Sequence, residues 1–197
     1  MGTTHVLKKG ETLYRIARAY EVDLHDLLEV NGIVDPKSLS VGMELFVPGV
    51  ARPVEVAPLP VNAPPDPPIP SPKLAKPPFI WPTKGVLYSR FGVRNGQRHD
   101  GIDIAAPEDT AIVAAGAGKV IFAGTQAGYG SLVILRHDNG LITLYAHAST
   151  LLVKEEAIVK AGTPIARVGR SGRTSGPHLH FEVREGTKPR NPLLFLR

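Results

Sequence analysis

Gly176–Pro177–His178–Leu179–His180–Phe181–Glu182–Val183 is the stretch on which the reading of this chain turns. In a β-strand, residues two apart project from one face. His178, His180 and Glu182 therefore share one side, and Leu179, Phe181 and Val183 the other, which is apolar and suits a core. Two imidazoles side by side on a polar face suit a metal site. The chain has no cysteine, so disulfides and thiolate catalysis are excluded. Nitrogen and carboxylate oxygen remain as ligands, a set that suits zinc. A pair of histidines needs a further ligand, and Arg98–His99–Asp100–Gly101–Ile102–Asp103 supplies a His-x-x-x-Asp spacing. Gly101 is expected to let the backbone turn so that His99 and Asp103 reach one ion. Tyr145–Ala146–His147 adds another histidine. Spacing alone leaves open which of His178 and His180 binds metal. His137 reads as a hydrogen-bonded strand residue, and His5 and His25 as incidental.

The same texture extends over residues 79–197. Gly118–Lys119–Val120–Ile121–Phe122–Ala123, Leu132–Val133–Ile134–Leu135, Leu141–Ile142–Thr143–Leu144–Tyr145 and Pro164–Ile165–Ala166–Arg167–Val168 are short β-rich runs. Asp138–Asn139–Gly140 between two of them is a hairpin turn signal. The expected architecture is a mainly antiparallel β domain. Upstream, 11 of the chain's 19 prolines fall within residues 49–78. Proline lacks the N–H donor and fixes φ, so this stretch reads as an extended interdomain linker. Residues 3–48 read as β-α-α-β. Thr12 caps a helix carrying Leu13, Ile16, Ala17 and Tyr20. A second helix starts near Asp23 and ends at Asn31–Gly32, and Glu44–Leu45–Phe46–Val47 closes as a strand.

The formal net charge is +5, which suits an anionic partner such as a cell-wall polymer. The basic residues are dispersed without a run of five or six, so no nucleic-acid partner is expected. No apolar run approaches the ~18 residues of a transmembrane helix. The N-terminal residues show no secretory pattern, so an envelope location presupposes an export signal outside this sequence.

Residues 3–48 resemble a LysM domain. The matching stretches are Val6–Leu7–Lys8–Lys9–Gly10–Glu11–Thr12–Leu13–Tyr14–Arg15–Ile16–Ala17, Leu27–Leu28–Glu29–Val30–Asn31–Gly32 and Leu39–Ser40–Val41–Gly42–Met43–Glu44–Leu45–Phe46–Val47–Pro48. The resemblance implies binding to N-acetylglucosamine chains, with Gly10, Glu11, Thr12, Asn31, Gly32 and Ile33 at the sugar. Residues 79–195 resemble the LytM/lysostaphin-type M23 metallopeptidases. Phe79–Ile80–Trp81–Pro82–Thr83–Lys84–Gly85, His99–Asp100–Gly101–Ile102–Asp103–Ile104–Ala105, Gly169–Arg170–Ser171–Gly172 and the 175–182 stretch carry it. That resemblance implies one zinc ion held by His99, Asp103 and His180, and two catalytic histidines, His147 and His178; imidazole chemistry suits His178 as proton acceptor and His147 as hydrogen-bond donor to an oxyanion. It implies hydrolysis of peptide bonds in peptidoglycan stems or cross-bridges, in a periplasmic or extracellular setting. The alternative is a non-catalytic or latent wall-binding activator of another hydrolase, with a linker side chain such as Asn62 or Asp66 filling an open metal position.

Overall fold

The computed structural model describes residues 2–33, 35–36, 39–57, 66–67, 77–94 and 97–197. Most of the proline-rich linker, Asn62 included, lies outside them. The chain divides into two compact units, Met1–Lys73 with Gly92–Arg98 and Leu74–Phe91 with His99–Arg197. No described helix is long and apolar enough to cross a membrane.

In the N-terminal unit, β1 (Gly2–Val6) precedes α1 (Leu13–Ala19) and α2 (Leu24–Val30), and β2 (Glu44–Pro48) pairs antiparallel with β1. Both helices are two turns long and rely on their caps. The Thr12 side chain accepts from Arg15 N, and Asp23 accepts from His25 N and Asp26 N. Such caps are worth about 1 kcal/mol each. Leu13, Ile16, Leu27, Leu28, Leu45 and Val47 form the core. Val56, eight residues beyond β2, is buried with them, and Val54 N donates to the Tyr20 hydroxyl at 3.0 Å. The packing of this unit thus runs on into the segment that the prolines marked as linker.

The remaining strands are β3 (Val86–Ser89), β4 (Gly92–Arg94), β5 (Gln97–His99), β6 (Ile102–Ala105), β7 (Ala111–Val113), β8 (Gly118–Gln126), β9 (Gly130–Arg136), β10 (Leu141–Leu151), β11 (Ile158–Val159), β12 (Pro164–Val168), β13 (His178–Glu185) and β14 (Lys188–Arg190). β4 pairs with β5. Among the described residues the other strands form one antiparallel sheet in the order β11-β8-β9-β10-β13-β6-β3, with β12 joining β10 to β7 and β14 on β13. The Asn139–Gly140 turn between β9 and β10 is as expected, with Gly140 at φ 80°.

The sheet has two unlike faces. Ile102 and Ile104 lie opposite Phe181 and Leu179, and all four are almost fully buried. On the same strands, Asp103 lies opposite His180 and Ala105 opposite His178. The pleat that sinks the apolar residues into the core therefore lifts the metal-type residues to the other side.

Candidate metal centre and glycan groove

Three strands deliver the histidine cluster. His99 ends β5, Asp103 is on β6, and His178 and His180 begin β13. One donor atom each from His99, Asp103 and His180 lies within 4.8 Å of the others. His99 Nδ1 stands 2.8 Å from the Arg90 carbonyl. A carbonyl only accepts, so Nδ1 carries a proton and Nε2 turns inward, 3.1 Å from Asp103 Oδ1 and 3.2 Å from His180 Nδ1. His180 Nδ1 lies 2.7 Å from the same Oδ1. Donor atoms around a tetrahedral ion with bonds of ~2.0–2.1 Å stand about 3.3 Å apart, so these residues fit a zinc ion with little adjustment.

The electrostatics agree. Burial alone would raise the Asp103 carboxyl, but hydrogen bonds from His180 and His99 hold it far below the usual carboxylate range. Burial likewise pushes the His180 ring down, yet Asp103 and Glu182 on its two sides outweigh this and bring it to about 9. A buried imidazole between two carboxylates draws positive charge, and a metal cation competes for the place of the Nδ1 proton.

Gly101 behaves otherwise than expected. Its φ is not in the left-handed region, so it makes no glycine-dependent turn. A Cβ there would stand 2.5 Å from the Phe181 carbonyl and 2.9 Å from His180 Cε1. Glycine is needed because β13 passes against it.

Two further histidines flank the cluster, their rings 4.7 Å apart. His178 Nδ1 donates to the Gly176 carbonyl at 2.8 Å, with Thr174 Oγ1 at 3.0 Å, and its Nε2 lies 3.8 Å from Asp103 Oδ1. His147 Nδ1 donates to the Ser171 carbonyl at 2.8 Å. Each ring thus spends its Nδ1 on a backbone carbonyl and keeps Nε2 for other partners. Burial keeps the His147 ring below the usual imidazole range despite the Ser171 carbonyl. With Nδ1 spent on the Ser171 carbonyl, the hydrogen bond to an oxyanion expected of His147 falls to its Nε2.

His147 owes its place to a break in β10. That strand pairs with β13 as far as Ala146 opposite His180, and from Ala148 it pairs with β12. At the changeover His147 takes φ 62°, a region uncommon for non-glycine residues. Its N–H is held by the Tyr129 carbonyl at 3.0 Å. The loops around Gly128–Gly130 and Ser171–Ser175 are tied together: Arg173 N donates to Gly128 O, and Ser131 N to Ser171 Oγ.

Sequence reading missed the partners of Glu182. The side expected to be polar is buried too, with Glu182 fully so and His178 and His180 under a tenth exposed. The carboxylate meets His180, Tyr129 and Arg184. The two-residue period from His180 to Glu182 was the available signal. Tyr129 and Arg184 needed the fold.

In the N-terminal unit, Gly10, Glu11 and Thr12 line a groove of about 340 Å³ together with Leu7, Leu39 and Val41. Glu11 Oε2 accepts from Lys8 N and faces His5 Nε2, while its Oε1 is buried without a hydrogen-bond partner. The other three sugar candidates do not line this groove. Asn31 spends its side chain joining α2 to β2, donating to Leu27 O and Phe46 O and accepting from Phe46 N. Gly32 takes φ 65° just past α2, and the Ile33 side chain belongs to the core. Asp66, offered by the sequence as a stopper of the metal position, is engaged within the N-terminal unit, where it accepts from Thr12 Oγ1 at 2.5 Å and Arg15 Nε at 3.3 Å.

Comparison with known proteins matches residues 97–192 to Peptidase family M23 and residues 5–48 to the LysM domain. The chain is 36% identical over 206 residues to the uncharacterized lipoprotein YgeR of Escherichia coli (strain K12), covering 99% of this chain and 81% of that one. It is 32% identical over 259 residues to the murein hydrolase activator NlpD of Salmonella typhimurium, covering 99% and 68%. Among solved structures, a zinc containing peptidase from Vibrio cholerae superposes with a TM-score of 0.55 at 31% identity, covering 59% of this chain and 39% of that chain.

Proposed function

Since the chain belongs to peptidase family M23 and carries a LysM domain, we propose that it is a wall-bound zinc endopeptidase acting on peptide bonds of peptidoglycan. The carrying observation is the convergence of His99 Nε2, Asp103 Oδ1 and His180 Nδ1 beside two histidines that each keep a free Nε2. Zinc held by His99, Asp103 and His180 would supply Lewis-acid activation of water and of the scissile carbonyl.

The chain's own residues do the rest. His178, oriented by Gly176 and Thr174, takes a proton from the attacking water. His147, oriented by Ser171, starts as a second acceptor. Protonated from solvent, its Nε2–H donates a hydrogen bond to the oxyanion, and the proton that His178 took from the water goes to the leaving amine as the C–N bond breaks. The Gly10–Thr12 loop and its groove hold the glycan, which raises the concentration of the catalytic unit at the same polymer. A peptidoglycan substrate calls for a setting at the bacterial envelope.

A second reading is favoured by a separate observation: NlpD, matched along almost the whole chain, is named a murein hydrolase activator. In that reading the M23 unit docks on another hydrolase and cuts nothing. Digestion of purified sacculi by the zinc-loaded protein, with products read by mass spectrometry, separates the two. The peptidase reading expects new peptide termini that vanish with a chelator. Binding to sacculi without new termini would transfer the assignment to the activator.

A further inference from the structure

The cluster accounts for five side chains and leaves Glu182 unexplained. Its carboxylate is wholly buried, which is costly for a charge unless its oxygens are fully engaged. They are. Oε1 lies 3.0 Å from His180 Nε2 and accepts from the Tyr129 hydroxyl at 2.8 Å. Oε2 accepts from Arg184 Nε at 2.5 Å, and another Arg184 nitrogen reaches the Tyr129 oxygen at 3.2 Å.

We infer that Glu182 is the positioning residue of the metal centre, fixing the Nε2–H tautomer of His180 so that the Nδ1 lone pair faces the cation. The inference rests on the metal-centre reading above. A metal-bound imidazole commonly donates its far N–H to a carboxylate, which orients the ring and raises its basicity. Here the carboxylate sits two residues along the same strand as the ligand, so the pleat itself aims it. Arg184 Nε donates a hydrogen bond that holds the Glu182 carboxylate in place. Tyr129 joins two parts of the site. Its hydroxyl holds Glu182, and its carbonyl holds the backbone N–H of His147 at 3.0 Å. The loop bearing Tyr129 therefore sets the orientation of a metal ligand and of a catalytic histidine together.

The test measures zinc affinity by competition with a chromophoric chelator, and the His180 ring N–H by long-range ¹H–¹⁵N NMR of the zinc-loaded protein. Glu182→Leu is expected to weaken zinc binding by roughly 10–100-fold and to abolish the protected Nε2–H signal. Glu182→Gln, whose amide oxygen still accepts from Nε2–H, should restore most of the affinity and the signal. A merely structural role predicts no such rescue pattern. Because Glu182→Leu strands Arg184 and risks misfolding, Tyr129→Phe serves as the gentler probe, removing one hydrogen bond and weakening zinc less than Glu182→Leu does. Equal zinc affinity and an unchanged ring signal in folded Glu182→Leu, or in Tyr129→Phe and Glu182→Gln if Glu182→Leu does not fold, would overturn the inference alone. Failure of the wild-type chain to take up zinc would overturn the metal-centre reading and the inference with it.

Discussion

A histidine at φ 62° is costly, of order 1–3 kcal/mol, and persists only where its surroundings fix it. At His147 they do so through the Tyr129 carbonyl on its N–H and the Ser171 carbonyl on its ring. Neither bond touches the donor atoms of the cluster. His147→Ala and His178→Ala should therefore bind zinc as the wild type does while losing about 10²–10⁴ in turnover, measured on sacculi alongside metal content. Gly101 marks the other kind of sensitivity. Gly101→Ala drives a methyl into the Phe181 carbonyl and His180 ring, and overpacking of this sort costs about 1–3 kcal/mol. Denaturant unfolding should show the loss together with weaker zinc binding. The spacings His99-x-x-x-Asp103 and His178-x-His180 made the donor set legible in the sequence. The reason for Gly101 was not, because it lies in a neighbouring strand about 80 residues further on.

At the scale of elements, the buried relay on β10 gives a pH dependence. His137 Nδ1 donates to Ala117 O, its Nε2 lies 2.7 Å from Thr143 Oγ1, and that hydroxyl donates to the Tyr145 hydroxyl at 2.9 Å. Burial pushes the His137 ring below its ordinary value, against the opposing pull of Ala117 and Asp138. The folded state thus favours the neutral ring, and below about pH 6.5 the unfolded chain binds more protons. Stability of the C-terminal unit should fall as the pH drops through that window, and His137→Gln should flatten the fall in a urea series. Long strands such as β8, β9, β10 and β13 were readable from their apolar runs and the Asn139–Gly140 turn. β3, β4, β5, β7 and β11 were not, since strands of two to four residues are defined by their partners. The capped helices of the N-terminal unit announced themselves through Thr12 and Asp23. Asn31 did not declare its role, because a cap, a sugar contact and a weld between α2 and β2 use the same residue type.

For the whole molecule, the proposed function joins a glycan-holding unit to a peptide-cutting one. Removal of residues 1–57 is expected to lower retention on sacculi, by up to about 10²-fold if linkage gives the effective-concentration gain typical of paired sites. Cleavage of a soluble muropeptide should be unchanged, and a co-sedimentation assay beside a peptide assay checks both. The central claim is that the M23 unit is a working peptidase. Its most direct test compares zinc-loaded wild type with zinc-loaded His178→Ala on the same sacculi, counting newly released peptide termini. The wild type should release abundant termini, and the variant at least about a hundredfold fewer at equal zinc content. Equal release, or none from either, would contradict that claim.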